Sequence, residues 1–377
     1  MSPAADSQYG WLLGRVAGIP VYIGKSWPVI AFVVVMTFGP QLAGSLPGGA
    51  AYAVAAAYAV LLLVSVLVHE AGHALAARLT GNEVSRIVAN LWGGHTVFGS
   101  GQRRPGTSAF TAIAGPAGNL LLAGVGWLLL QVDLPAVPSL LAWALALSNV
   151  FVAVFNLLPG LPLDGGFVVE AAVWKLTGDR WLAMIVAGWL GRVVTVLAVL
   201  YFLAEPLLSG GRPSIVTIVW VALIGAFLWQ GATQAIRAGT ARRAVARVRV
   251  GQVLRPVVLV AGHATAATAL EGLARVPGAE RAVLVDPAGI PVGFLDLAAL
   301  RSVPADQLAV VPATAVLVRP PMGWIVQAEP ADDASVVVSA LAGHVEGEGV
   351  KEAVLVRDGQ GRVTGTVSLA DVEAALS

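Results

Sequence analysis

The chain has 377 residues, of which 57% are hydrophobic and only 12% charged, with a mean hydropathy of +0.80. A soluble domain carries about 25% charged residues, so an ordinary soluble globule is excluded for most of the length. The net charge of +1, with no basic run interleaved with aromatics, argues against nucleic-acid binding, and the absence of Cys removes disulfides and thiolate metal sites.

The first residues, MSPAADSQYGWLLGR, are too polar and too broken for a cleaved signal peptide. Membrane insertion is therefore expected to come from the first spanning segment. A span takes about 20 apolar residues. Six windows qualify: roughly 27–45, 51–73, 109–131, 138–158, 182–204 and 214–232. Arg15 and Lys25 precede the first window, Arg78, Arg86, Arg103 and Arg104 follow the second, Lys175 and Arg180 follow the fourth, and Arg237, Arg242 and Arg243 follow the sixth. The alternate connections carry only Arg212. That asymmetry predicts cytoplasmic termini, by the excess of Lys and Arg in cytoplasmic loops. Arg outnumbers Lys beside abundant Ala, Gly and Val, which is associated with GC-rich bacterial genomes.

The second window carries LLVSVLVHEAGHALAA, which brings His69, Glu70 and His73 into an apolar run. Ionisable groups at membrane depth are costly and need a partner or a task. Four residues apart, the two His project from one helix face and can reach a single tetrahedral zinc ion, with Glu70 beside them as general base. A structural metal site or a polar contact between helices is the competing reading. A third ligand must come from elsewhere. The topology brings His95, in NLWGGHTVFGSG (90–101), and Asp164, in LPLDGG, to the same membrane side. Asp164 is favoured as the only acid between Asp133 and Glu170, with two following glycines that let the backbone bend close to a metal. The Gly-rich segment 93–101 is a candidate strand edge for an unwound substrate. Arg192, inside the fifth window, is expected to snorkel or pair within the bundle, or to serve as a gate.

HEAGH together with N-x-x-P-x-x-P-L-D-G-G resembles the site-2 proteases, intramembrane zinc metalloproteases. GPAGN (115–119) is similar to that family's Gly-Pro…Asn element, and GIPVYIGKSW (18–27) to its N-terminal strand-like segment. The resemblance covers about residues 10–236. It implies zinc held by His69, His73 and Asp164, Glu70 as general base, and Asn156 positioning substrate or stabilising the oxyanion. It further implies a transmembrane protein substrate, such as an anti-sigma factor or another signalling protein, in the lipid membrane. The departure is Phe167, where LDGG is commonly followed by Arg.

After an Arg/Ala linker (237–250), residues 251–377 repeat one design in two copies, about 251–305 and 310–377. RAVLVDPAGIPVGFLDLAAL (281–300) and EAVLVRDGQGRVTGTVSLADVEAAL (352–376) each read as strand, Gly turn, strand and helix, with an apolar helical stretch upstream. The tail resembles a tandem pair of CBS modules, α/β in class, beside an α-helical polytopic membrane domain of about six helices spanning 1–236. Such pairs bind adenine nucleotides through Gly-x-x-Ser/Thr-x-x-Asp, which the second copy matches at Gly365, Ser368 and Asp371. The first copy departs, with Asp296 and Ala299 after Gly293. A structural tail, or one that forms a homodimer, competes with a nucleotide sensor. For the whole chain, the alternatives to a protease are a CBS-regulated transporter of metal ions or solutes and a catalytically inactive membrane-binding relative.

Overall fold

The computed structural model describes residues 10–90, 93–98, 104–342 and 352–376, with side chains there except at 48 and from 90 to 98. The chain forms two compact units, Met1–Thr240 and Ala241–Ser377.

The first unit opens with a hairpin of β1 (Trp11–Val16) and β2 (Ile19–Ile23), whose turn residues Ala17 and Gly18 have φ of 48° and 83°. Positive φ at both turn positions matches the twist of paired antiparallel strands. β2 lies in the strand-like segment anticipated over 18–27. The chain continues as α1 (Trp27–Leu42) and α2 (Gly48–Leu79), and β3 (Val84–Asn90) then pairs parallel to β2. β4 (Gly93–Phe98) pairs antiparallel to β3 and ends the sheet order β1-β2-β3-β4. The expected strand edge is thus present in backbone over 93–98. Residues 99–103 and the His95 side chain lie outside the described residues.

Next come α3 (Pro105–Leu129), α4 (Ala136–Asn156), α5 (Asp164–Thr177), α6 (Arg180–Leu208) and α7 (Ile215–Arg247). Among the described residues, α2, α3, α4, α6 and α7 are the five helices long and apolar enough to cross a membrane. The first of the six expected windows forms the shorter apolar helix α1. α1 has 16 residues, about 24 Å at 1.5 Å per residue, short of the roughly 20 that a span takes. Pro40 removes a backbone donor near its end, and the turn-forming Gly44, Ser45 and Pro47 follow. α7 runs on through the Arg/Ala stretch of the expected linker to Arg247. That stretch has no Pro and one Gly, and Ala and Arg are strong helix formers.

Small residues let these helices approach closely, as they must where lipid removes the hydrophobic drive between helices. Ala51, Ala55, Ala59, Ala74 and Ala77 line the buried face of α2, while Leu121, Trp127 and Phe151 point outward from α3 and α4.

The second unit starts with one turn, α8 (Val250–Val253). β5 (Val257–Ala261), α9 (Ala266–Arg275), β6 (Arg281–Val285), β7 (Pro291–Leu295) and α10 (Leu297–Ser302) form the first βαββα module. β8 (Leu317–Val318) extends its sheet. β9 (Ile325–Gln327), α11 (Ser335–Leu341), β10 (Ala353–Arg357), β11 (Val363–Ser368) and α12 (Leu369–Leu376) form the second. In each, the first two strands are parallel and the next pair antiparallel. The tail therefore has the α/β tandem architecture read from its duplication. Val283 of one copy, Leu355 of the other and Trp324 share a core cluster between the copies.

Candidate metal centre

Helix α2 presents Ser65, His69 and His73 on one face, each a helical turn from the next. The loop after α4 returns Asp164, the first residue of α5, to that face. His69 Nε2 and His73 Nε2 face each other at 3.0 Å, and Asp164 lies 3.1 Å from the first and 3.3 Å from the second. One ligand atom from each of the three falls within a 4.8 Å cluster. Glu70 is buried beside them on α2.

The surrounding hydrogen bonds settle where the imidazole protons are. His73 Nδ1 is 2.7 Å from the Thr111 carbonyl, which only accepts, so Nδ1 donates. His69 Nδ1 is 2.6 Å from Asn119 Oδ1. Asn119 Nδ2 donates to Asn149 Oδ1 at 2.8 Å and to the Ser65 carbonyl at 3.3 Å. Asn149 Nδ2 in turn donates to the Leu145 carbonyl and to Ser65 Oγ, each at 2.9 Å. The two backbone carbonyls fix both amide orientations, so Asn119 offers His69 an acceptor and His69 Nδ1 also donates. In the neutral rings, both Nε2 atoms then carry lone pairs. They converge on a carboxylate whose buried Oδ2 has no hydrogen-bond donor, despite lying near His69. Such an all-acceptor cluster is repulsive by itself and matches the donor set of a cation. Two imidazoles and one carboxylate fit zinc.

Two glycines make the room. A Cβ on Gly115 of α3 would meet His73 Nε2 at 2.3 Å and His69 Nε2 at 2.8 Å. A Cβ on Gly165 would meet the Leu157 carbonyl at 2.3 Å, so this glycine lets α5 begin tightly against its own loop. GPAGN and LDGG are thus steric as well as chemical motifs.

Asn156, the last residue of α4, donates its Nδ2 to the Val152 carbonyl at 3.0 Å in its own helix. In the tail, Asp371 accepts from Ser368 N at 2.9 Å, Ser368 Oγ at 2.5 Å and Arg255 Nε at 2.8 Å. Gly365 packs against Leu254 and Arg255. In the first copy, Asp296 caps α10 by accepting from Ala298 N and Ala299 N. Ser65 and Asn149 carry parts of the centre that sequence reasoning did not single out. Ser65 was within reach, lying four residues before His69 in an otherwise apolar window. Asn149 was also visible as a polar residue in the fourth window.

Residues 46–213 match the model of the family described as Peptidase M50B-like. Rip3 of Mycobacterium tuberculosis, a relative that carries the zinc metalloprotease name, is 36% identical over 249 residues, covering 64% of this chain and 62% of its own. The membrane part of the chain is thus similar to the M50B-like family and to a relative named as a zinc metalloprotease. The chain spans about 62% of the length of the Rip3 relative it matches. Among solved structures, a site-2 protease from Methanocaldococcus jannaschii is similar at 24% identity and a TM-score of 0.41, covering 60% of this chain and 95% of that one. The CBS domain of a membrane protein from Sphaerobacter thermophilus is similar at 22% identity and a TM-score of 0.28, covering 39% of this chain and 98% of that one.

Proposed function

We propose that this M50B-like protein is an intramembrane zinc endopeptidase that cuts membrane-protein substrates in or near their spanning segments. The observation that carries the reading is the convergence of His69 Nε2, His73 Nε2 and the Asp164 carboxylate, whose buried Oδ2 has no hydrogen-bond partner. His69, His73 and Asp164 would hold the ion. Zinc, when bound, supplies Lewis acidity that polarises a carbonyl and lets water act as nucleophile near neutral pH.

The remaining chemistry belongs to the chain. Glu70, buried next to His69, accepts a proton from the attacking water and returns it to the leaving nitrogen. Asn119 and the Thr111 carbonyl keep both imidazole protons on Nδ1 and so keep Nε2 available. Asn156 Nδ2 can leave its helical carbonyl and donate to the developing oxyanion, since Val152 loses only a second partner. A substrate helix hides its peptide bonds in its own hydrogen bonds, so it must unwind. β4 at the sheet edge offers a backbone to which an extended strand can add.

The charge asymmetry supports cytoplasmic termini and a site near the cytoplasmic face, so that a fragment is released to that side. Adenine nucleotide binding at Gly365, Ser368 and Asp371 would require Arg255 to release the Asp371 carboxylate.

The test pairs metal analysis with a search for cleaved products. The purified chain is expected to hold about one zinc. Glu70→Gln should keep that zinc and lose roughly 10²–10⁴-fold in cleavage rate, read as new peptide termini in membranes containing wild type against the variant. A well-folded chain without zinc, or a Glu70→Gln variant with wild-type cleavage, overturns the reading.

A further inference from the structure

Helix α6 carries two arginines with different company. Arg180, at its start, pairs with Glu170 at 3.4 Å. Arg192, three turns further into the apolar stretch, has no carboxylate partner among the described residues. Its Nη2 donates to Thr233 Oγ1 at 3.1 Å, and its guanidinium is held over Trp189 at 4.7 Å and Trp229 at 4.8 Å. Its buried Nε has no hydrogen-bond partner. Rings and a hydroxyl hold a cation in place without neutralising it, and a charge at membrane depth calls for a counter-charge.

Depth indicates where that counter-charge comes from. Thr233 lies four residues, about 6 Å along α7, before Arg237, which ends the apolar part of that helix. Measured along α7, the guanidinium is therefore about one turn inside Arg237, within reach of a phosphate drawn to that arginine. Flanking Trp rings suit that boundary. A groove of about 610 Å³ runs between α6 and α7, lined by Thr195, Val199, Leu203, Ile218, Gly225 and Trp229, the last being a ring that also flanks Arg192. Its first α6 residue, Thr195, stands about one turn beyond Arg192, and the lining continues from there away from Arg180. Thr195 to Leu203 covers about 12 Å, most of the roughly 15 Å of hydrocarbon in one leaflet. Its walls are apolar, the one hydroxyl, Thr195 Oγ1, being bonded to the Gly191 carbonyl at 2.7 Å.

We propose that Arg192, Thr233, Trp189 and Trp229 bind the phosphate of an anionic phospholipid, one acyl chain of which fills the α6–α7 groove. The unneutralised cation selects the headgroup charge, and the groove selects a chain. At Gly225 a Cβ would already stand 3.0 Å from Val199 Cγ2, so a larger side chain there would crowd the groove. This site is separate from the His69, His73 and Asp164 cluster and does not depend on the protease reading.

Native mass spectrometry of the detergent-solubilised full chain tests it. The probes are phosphatidylglycerol and phosphatidylcholine with identical acyl chains, and glycerol phosphate as the headgroup alone. Wild type should retain one phosphatidylglycerol with at least about tenfold preference over phosphatidylcholine, and glycerol phosphate should not compete. Arg192→Gln should bring the two lipids to equal affinity. Gly225→Leu, which fills the groove and leaves Arg192 in place, should weaken both lipids. Circular dichroism confirms that each variant is folded, and Thr233→Val provides a milder loss of selectivity if Arg192→Gln is not. Equal binding of both lipids by wild type, retained selectivity in folded Arg192→Gln, unchanged binding in Gly225→Leu, or capture of a second protein chain by the groove overturns the proposal.

Discussion

Two aspartates, one in each unit, meet opposite fates. Asp164, in the membrane unit, faces two imidazole lone pairs and has an oxygen without a donor. Asp371, in the tail, is saturated by the Ser368 amide, the Ser368 hydroxyl and the Arg255 guanidinium. Both were picked from sequence as ligand-binding acids. A carboxylate left short of donors in a buried cluster is incomplete without a cation, whereas one that is fully donated to is already doing structural work. The accounting of donors, more than the motif, separates a site in waiting from a finished one.

The largest effect expected from this contrast follows Asp164→Asn. The amide keeps the volume but removes the negative charge and sets an NH2 donor in place of one carboxylate oxygen, where it takes up one Nε2 lone pair, so the cluster loses most of its demand for a cation. Zinc measured by plasma mass spectrometry should fall from about one per chain to near none. Asp371→Asn should leave the zinc untouched. Zinc retained in Asp164→Asn would erase the distinction between the two acids and turn attention to His95.

Asn119→Ala comes next and asks how much the surrounding amides matter. Without Oδ1, His69 loses the acceptor that fixes its proton on Nδ1. Loss of such an outer partner costs about 10–100-fold in metal affinity, to be read by competition with a calibrated zinc chelator. The d–d absorption of the cobalt-substituted protein should change as His69 reorients, which a loss of packing alone would not produce. Asn149→Ala, one bond further out, should have the smaller effect. An unaltered affinity in Asn119→Ala would reduce the chain of amides to helix packing.

The three side chains that meet at the candidate centre were legible in sequence because their signals are local or singular. HEAGH puts two candidate ligands on one helix face by spacing alone, and Asp164 stood out as a lone acid in an apolar region. The helical windows were legible for the same reason, since apolar length is a one-dimensional property. What sequence could not supply is which carbonyls and amides meet across helices. Thr111 acts through its backbone and leaves no side-chain signal. The role of Gly115 exists only once α3 has packed on α2. The end of α1 at Leu42 was not legible, because hydropathy counts Gly44 and Pro47 as mild while the backbone responds to them strongly. Arg255 lies more than a hundred residues from Asp371, and nothing in the Gly-x-x-Ser-x-x-Asp spacing announces it.

The smallest effect concerns the finished acid and is a matter of pH. Burial alone would raise the Asp371 carboxyl, but the hydrogen bonds from Ser368 and Arg255 outweigh it and hold the group below its ordinary value. A carboxyl depressed in the folded state contributes stability that is fully present above its unfolded value, near 3.9. That contribution is lost as pH falls through the lower folded value. Protection of β11 amides against hydrogen exchange in the full chain, corrected for intrinsic exchange, should therefore be level from pH 7 to about 5 and decline below about 4. Asp358 is also depressed, chiefly by the Arg362 amide, so wild type alone cannot apportion the decline. The difference between wild type and Asp371→Asn can. At neutral pH the variant should lose about 1–2 kcal/mol of protection, the lower part of the range for hydrogen bonds to a charged group because Arg255 is half exposed. Toward acid the gap should close, since protonation removes from wild type the same charge that the substitution removes. A gap that stays constant down to pH 3 would mean that the Asp371 charge contributes nothing to the fold, and the carboxylate would return to being a candidate for a ligand.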